Sequence, residues 1–251
     1  MFLGNPMMMR KRAPLSYADI LAAMTGKAIV LRGDQSSGTN GVDLNTAPWD
    51  NEVSATDTTG LVTWATSAQN GFRGIYTATG SREGNTGIAL STLLPSTTRG
   101  CTLFAVERRT GTQGASAGSN RYLNSNVIAD SSGYFGIHFE PNSREFNFYT
   151  FGNVANFCVS GYSFTDSVTY VVAVRLSDTN GAVRFNFNGS ATNFPSAAMQ
   201  TPSSKSSNIR VLRPAVSAAA YGFEYIACSQ ELDDATMDAF VTGLKTKWGI
   251  T

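Results

Sequence analysis

The sequence predicts an all-β fold, an antiparallel sandwich or jelly roll, and three observations point there. Of 251 residues only 15% are charged, well under the ~25% usual for soluble domains. Ser, Thr, Asn and 24 Gly take their place, and these suit exposed strand faces and turns better than helices. Second, apolar and polar residues alternate. Phe135, Ile137 and Phe139 oppose Tyr134, His138 and Glu140, while Val183, Phe185 and Phe187 oppose Arg184, Asn186 and Asn188. Such alternation marks antiparallel strands with one face buried and one wet. Third, helical periods occur only near the two ends, so helices do not alternate with strands and a parallel α/β sheet is excluded.

Residues 1–14 carry neither period. Pro6, three consecutive Met beginning at Met7, and the basic triplet Arg10, Lys11 and Arg12 are read as a partner-docking arm, held by this chain or a neighbouring one. Residues 15–251 then form a single domain. Ser16 is the N-cap of a short helix and Asp19 completes a capping box. Tyr17, Ile20, Leu21 and Met24 give that helix one apolar stripe, and Gly26 stops it. Strands are expected at 28–32, 61–65, 73–78, 87–91, 101–108, 134–140, 145–151, 168–176, 182–188, 208–212 and 221–229. Residues 177–181 and 140–144 have hairpin-turn chemistry. Two long loops, 33–60 and 110–130, are rich in Gly, Ser, Thr and Asn, and long loops on a β scaffold are where binding tends to reside. The last element is a helix capped by Asp233, with Lys245 and Lys247 in its last turn. Its stripe is Met237, Phe240, Val241, Leu244 and Trp248, and Gly249 ends it.

With 19 basic against 18 acidic residues the net charge is +1, so no field spans the protein that would steer it to nucleic acid. No apolar run is long enough to span a membrane. The apolar start precedes its charges, the wrong order for a secretory signal. Cys101, Cys158 and Cys228 lie far apart in apolar β-like runs and are read as buried thiols of a chain made in a reducing cytoplasm.

A search for chemistry finds no catalytic constellation. The single histidine, His138, is read as a solvent-facing strand residue. It can neither build a His-rich zinc site nor join a nucleophile elbow, which the chain lacks. Asp34, Asp43, Asp50 and Asp57 share one loop without a ligand spacing, so no metal and no cofactor is expected. Trp49, Tyr122 and Tyr134, with Tyr162, are the loop or outward-facing aromatics on which a sugar face would stack. Trp64 and Trp248 are read as core.

The C-terminal run Gln230-Glu231-Leu232-Asp233-Asp234, followed by the helix ending Lys247-Trp248-Gly249-Ile250, resembles the end of concanavalin A-like lectin/glucanase (laminin-G-like) jelly rolls of phage and bacterial surface proteins. Residues 102–109 resemble an early core strand of that fold, 183–189 its strand ending in Asn-Gly, and Trp49-Asp50-Asn51 the segment before its first strands. The resemblance implies a two-sheet jelly roll over roughly residues 27–250. It does not imply an activity. The glucanase branch carries Glu-x-Asp-x-x-Glu on one strand, and no acidic position here matches it. The expectation is therefore a non-enzymatic structural protein of a phage virion, a capsid decoration or a fibre or tail component. It would be made in the host cytoplasm, be attached to other virion proteins through its arm, and self-associate. The alternative is a lectin recognising cell-surface glycans.

Overall fold

The computed structural model describes residues 16–77, 82–95, 100–110, 126–130, 135–140, 145–151, 155–194, 199, 202, 205–213 and 219–251. In chain order come helix α1 (Tyr17–Ala23), strand β1 (Lys27–Arg32), a 3-10 turn (Gly33–Gln35), β2 (Thr59–Gly60), β3 (Thr63–Gln69), β4 (Phe72–Thr77) and β5 (Gly84–Ala89). Helix α2 (Leu90–Leu93), β6 (Cys101–Thr110), β7 (Asn126–Asp130), β8 (Phe135–Glu140), β9 (Glu145–Phe151) and β10 (Ala155–Ser163) follow. The chain closes with β11 (Thr169–Leu176), β12 (Val183–Phe187), β13 (Ser190–Phe194), β14 (Asn208–Arg213), β15 (Ala219–Cys228) and α3 (Asp234–Trp248).

Two antiparallel sheets face each other. One runs β13-β12-β11-β6-β15-β4-β3, with β1 also paired to β15; the other runs β10-β9-β8-β7-β14-β5-β2. Between them lies the larger core, where Leu103, Val172, Val174 and Phe185 meet Ile137, Phe146 and Phe148. A second core lies on the outer face of the first sheet. Phe104, Val106, Val171, Ala173 and Ile226 pack there under Ile20, Met237, Phe240, Val241 and Leu244 of the two longer helices. Strand β6 is thus apolar on both faces, as a strand covered on both sides must be.

Both helix ends form as their sequences dictate. Ser16 and Asp19 close a reciprocal capping box. The Asp233 carboxylate accepts from the Thr236 N–H at 2.8 Å, and Gly249 turns the chain at φ +63° so that the Ile250 N–H reaches the Lys245 carbonyl. One carboxylate ties both helices to the sheet. Glu224 is 1% exposed. It accepts from Trp248 Nε1 at 2.7 Å, from Lys247 Nζ at 2.9 Å and from the Tyr17 hydroxyl. Lys247 also pairs with Asp34 at 2.7 Å. Burial pushes the Glu224 carboxyl above its ordinary range, against the pull of Lys247 and the other donors.

Several expectations change. Residues 126–130, 155–163 and 190–194 are strands that were read as loop or left unread, and Leu90–Leu93, half inside an expected strand, is a short helix. The expected loop 33–60 is largely irregular, as read, but it is anchored inward, with Leu44, Trp49 and Asn51 buried. Asn51 accepts from the Val30 N–H and donates to the Ala28 carbonyl, and the Glu52 N–H bonds the Val30 carbonyl. This segment closes the free edge of β1 in the manner of a further strand. Two of the three cysteines, Cys101 and Cys228, are buried free thiols.

Replacing Glu224 by Ala leaves the buried Trp248 Nε1 and the part-buried Tyr17 hydroxyl without this acceptor and Lys247 with Asp34 alone, and should lower stability by about 3 kcal/mol, read by denaturant unfolding. Glu224→Gln, which keeps an acceptor oxygen, should lose distinctly less.

Candidate functional site

On the outer face of the first sheet, helix α3 covers only part of the surface. Beyond its end, five strands place one residue each in a cross-strand row. Thr63 pairs with Tyr76, Tyr76 with Tyr221, Tyr221 with Arg108, and Arg108 with Thr169. Residues in register across a sheet share a face and lie within contact distance. The rings of Tyr76 and Tyr221 are 4.7 Å apart, and the Arg108 guanidinium lies 4.3 Å over the Tyr221 ring. Tyr221 stacks in turn on Phe223, and Phe223 packs on Trp248, the last residue of α3. Tyr76, Tyr221 and Arg108 are all half-buried, so part of each side chain reaches solvent.

Local chain geometry sets this row. In β6, Glu107, Arg108 and Arg109 are consecutive, and the strand period sends Arg108 outward and the other two inward. Inside, Arg109 donates to the Glu107 carboxylate at 2.8 Å, and the Tyr225 hydroxyl donates to its other oxygen at 2.6 Å. Burial raises the Glu107 carboxyl, with Arg109 and Tyr225 opposing, and raises the Tyr225 hydroxyl. Gly222 leaves room for that hydroxyl, since a Cβ there would stand 2.2 Å from it. A β-bulge between Gly222 and Glu224 then turns both Phe223 and Glu224 to the helix side.

At the Thr169 end the row abuts a hollow of about 200 Å³ lined by Gln69, Ser167, Val168, Thr169 and residues 249–251. Gln69 accepts from the Thr169 hydroxyl at 2.9 Å and donates to the Trp248 carbonyl at 2.8 Å. Among the described residues, neither tyrosine hydroxyl of the row nor the Arg108 guanidinium makes a hydrogen bond or ion pair. The row therefore offers the exposed parts of two packed tyrosine rings, two hydroxyls and a guanidinium.

The expected site residues are placed differently. Trp49 is a correction: it is 1% exposed, edge-on to Trp64 at 5.5 Å and to Tyr225 at 6.0 Å, and so is core and offers no face to a sugar. Tyr122, Tyr134 and the arm residues Met7, Arg10, Lys11 and Arg12 lie outside the described residues. Tyr162 is stacked on Phe187 and bonded to the Thr192 hydroxyl at 2.8 Å. His138 is also a correction. It does sit opposite the core-facing Ile137, but it is fully buried, edge-on to Tyr149 and in register with the buried Asn147. Of the loop aspartates, Asp34 pairs with Lys247 and Asp43 caps the Thr46 N–H. Trp64 and Trp248 are core, as read. The row itself was missed because its order depends on which strands neighbour each other. The only linear signal was the outward phase of Arg108 beside two inward charges.

No protein-family model and no curated protein matches the chain. Solved structures do. Trypanosoma rangeli sialidase in complex with the inhibitor DANA superposes with a TM-score of 0.55 at 11% identity, covering 87% of this chain and 33% of the sialidase. An HCR/D mutant gives 0.58 at 8% identity over 87% of this chain and 51% of that one. The binding domain of botulinum neurotoxin DC in complex with SialylT gives 0.51 at 9% identity, over 88% and 52%. The chain thus shares a two-sheet antiparallel β-sandwich fold with these proteins, and it spans about a third to a half of their length.

Trp49→Ala should cost about 3–5 kcal/mol of stability, measured as a lowered denaturation midpoint, because the ring fills the core.

Proposed function

We propose that this chain is a non-enzymatic carbohydrate-binding module whose sugar contact is the Tyr76–Tyr221–Arg108 row. The observation that carries the reading is the adjacent pair of half-buried tyrosine rings, whose hydroxyls make no hydrogen bond among the described residues, on sheet surface that neither longer helix covers. The apolar C–H face of a pyranose packs on aromatic rings, and polar groups at their edges fix its orientation. The strands hold these side chains without a mobile loop, so little ordering is needed on binding.

The sandwich fold supports the reading as a scaffold. Structures of similar fold include a toxin binding domain in complex with SialylT and a sialidase in complex with an inhibitor. At this identity they speak for the framework and not for a ligand. Binding is proposed in preference to catalysis because of where the buried carboxylates point. Glu107 faces the sandwich interior and Glu224 the helices, each saturated by its own donors. A glycosidase needs two carboxyls flanking one bond. The virion expectation rests on the arm, which lies outside the described residues, and on the resemblance of short segments, which speaks for the fold and not for a virion.

A glycan array tests the reading: the protein should show saturable binding to a subset of glycans. Tyr76→Ala and Tyr221→Ala should each weaken it by about five- to tenfold, as expected for losing an aromatic contact of about 1–1.5 kcal/mol, while keeping the fold by circular dichroism. Binding to no glycan, or binding untouched by both substitutions, would sink it.

A further inference from the structure

We infer that the row selects a sugar bearing a carboxylate, and that Arg108 is the residue that reads it. The inference rests on the carbohydrate-binding reading above and names the ligand class of that same site.

Arg108 differs from six other arginines of the chain. Arg32, Arg109, Arg175, Arg184, Arg210 and Arg213 each pair with an acidic side chain of the protein. Among the described residues Arg108 pairs with none, and nor do Arg73, which donates to the Ser36 carbonyl, and the exposed Arg82. The adjacent Glu107 points to the opposite face of the sheet and is taken by Arg109 and Tyr225. Instead the Arg108 guanidinium lies over the rings of Tyr221, at 4.3 Å, and Phe223, at 5.7 Å. Stacking of this kind engages the flat face of the ion and leaves the N–H donors in its plane. Those donors form a planar fork that matches a carboxylate bidentately. The aromatic floor also displaces water beneath the ion, and a charge-assisted hydrogen bond gains where the local dielectric falls.

The geometry fits one ligand unit. Tyr76 and Arg108 flank Tyr221 on neighbouring strands, so about 9–10 Å separates the outer two positions. A pyranose resting on the exposed parts of Tyr76 and Tyr221 would therefore bring a ring carboxylate within reach of Arg108. A neutral sugar would leave the guanidinium without a partner. The net charge of +1 supplies no long-range attraction of its own, so the preference for an acid must be local.

Isothermal titration with trigalacturonate and with its methyl ester isolates the charge, since the two share a sugar skeleton. The wild-type protein should bind the acid about tenfold tighter or more, the scale of one charge-assisted hydrogen bond pair. Arg108→Ala should erase that preference, and Arg108→Lys, which keeps the charge without the fork, should retain part of it. Thermal unfolding verifies that both variants are folded. The same comparison is repeated over matched acidic and neutral members of the glycan array. Equal binding of acid and neutral forms throughout, or a preference that survives Arg108→Ala, overturns the inference while the carbohydrate reading stands. Binding of no glycan at all overturns both.

Discussion

The Glu224 carboxylate is the contact on which the outer layer of this protein depends. The first sheet has apolar side chains on both faces, and the helices α1 and α3 cover the outer one. Packing alone would let two short amphipathic helices slide. Glu224 fixes them by accepting from Tyr17 of α1 and from Lys247 and Trp248 of α3. Lys247 carries the tie on to Asp34, just past β1. A buried carboxylate gains little net stability over an apolar replacement, but it specifies one arrangement because every alternative leaves donors unsatisfied.

The same residue marks the edge of the candidate site. The bulge at Gly222 and Glu224 divides β15 into two parts. Residues 220–222 pair with β4, and residues 224–228 pair with β1. The second part lies under the helices. The first part carries Tyr221 into register between Tyr76 and Arg108, where helical cover has ended. Phe223 is the bulged residue and bridges the two regimes, touching both Trp248 and Tyr221. One extra residue in one strand therefore joins a structural polar cluster to an open aromatic strip.

Much of the fold was legible in the sequence because its signals are local. Capping residues at Ser16 and Asp233, the stripe from Met237 to Trp248, and the alternation in 135–139 and 183–187 each need only a few neighbouring positions to interpret. The strands that escaped notice lack that signal for physical reasons. Strand β13 is an edge with mostly exposed residues, Ser-Ala-Thr-Asn-Phe, and an edge strand needs no alternating apolar face. Trp49 misled because a tryptophan flanked by Asp50 and Asn51 has the composition of a loop. The fold instead uses that loop to seal β1, and the ring follows the chain inward. The row was illegible because Tyr76, Arg108, Thr169 and Tyr221 come from four distant segments, and only the strand order unites them.

Low charge takes its meaning from this arrangement. In a protein with 15% charged residues, ionic groups are few enough that their placement can be followed nearly one by one. Glu107, Glu224, Asp34 and Asp238 are each engaged by a basic side chain that ties two elements together or stiffens a strand. Charge spent in this way is structural and cannot act on a ligand. Arg108 is built into the most central strand of the same sheet yet is denied an acid. Its guanidinium lies over the Tyr221 and Phe223 rings, contacts that restrict the side chain in advance. Pre-ordering a long side chain removes much of the conformational entropy that binding would otherwise cost. A sheet that engages so many of its ions internally and leaves this one partly presented to solvent is the arrangement on which the proposed recognition of a charge at a fixed point rests, with the aromatic pair beside it providing the area.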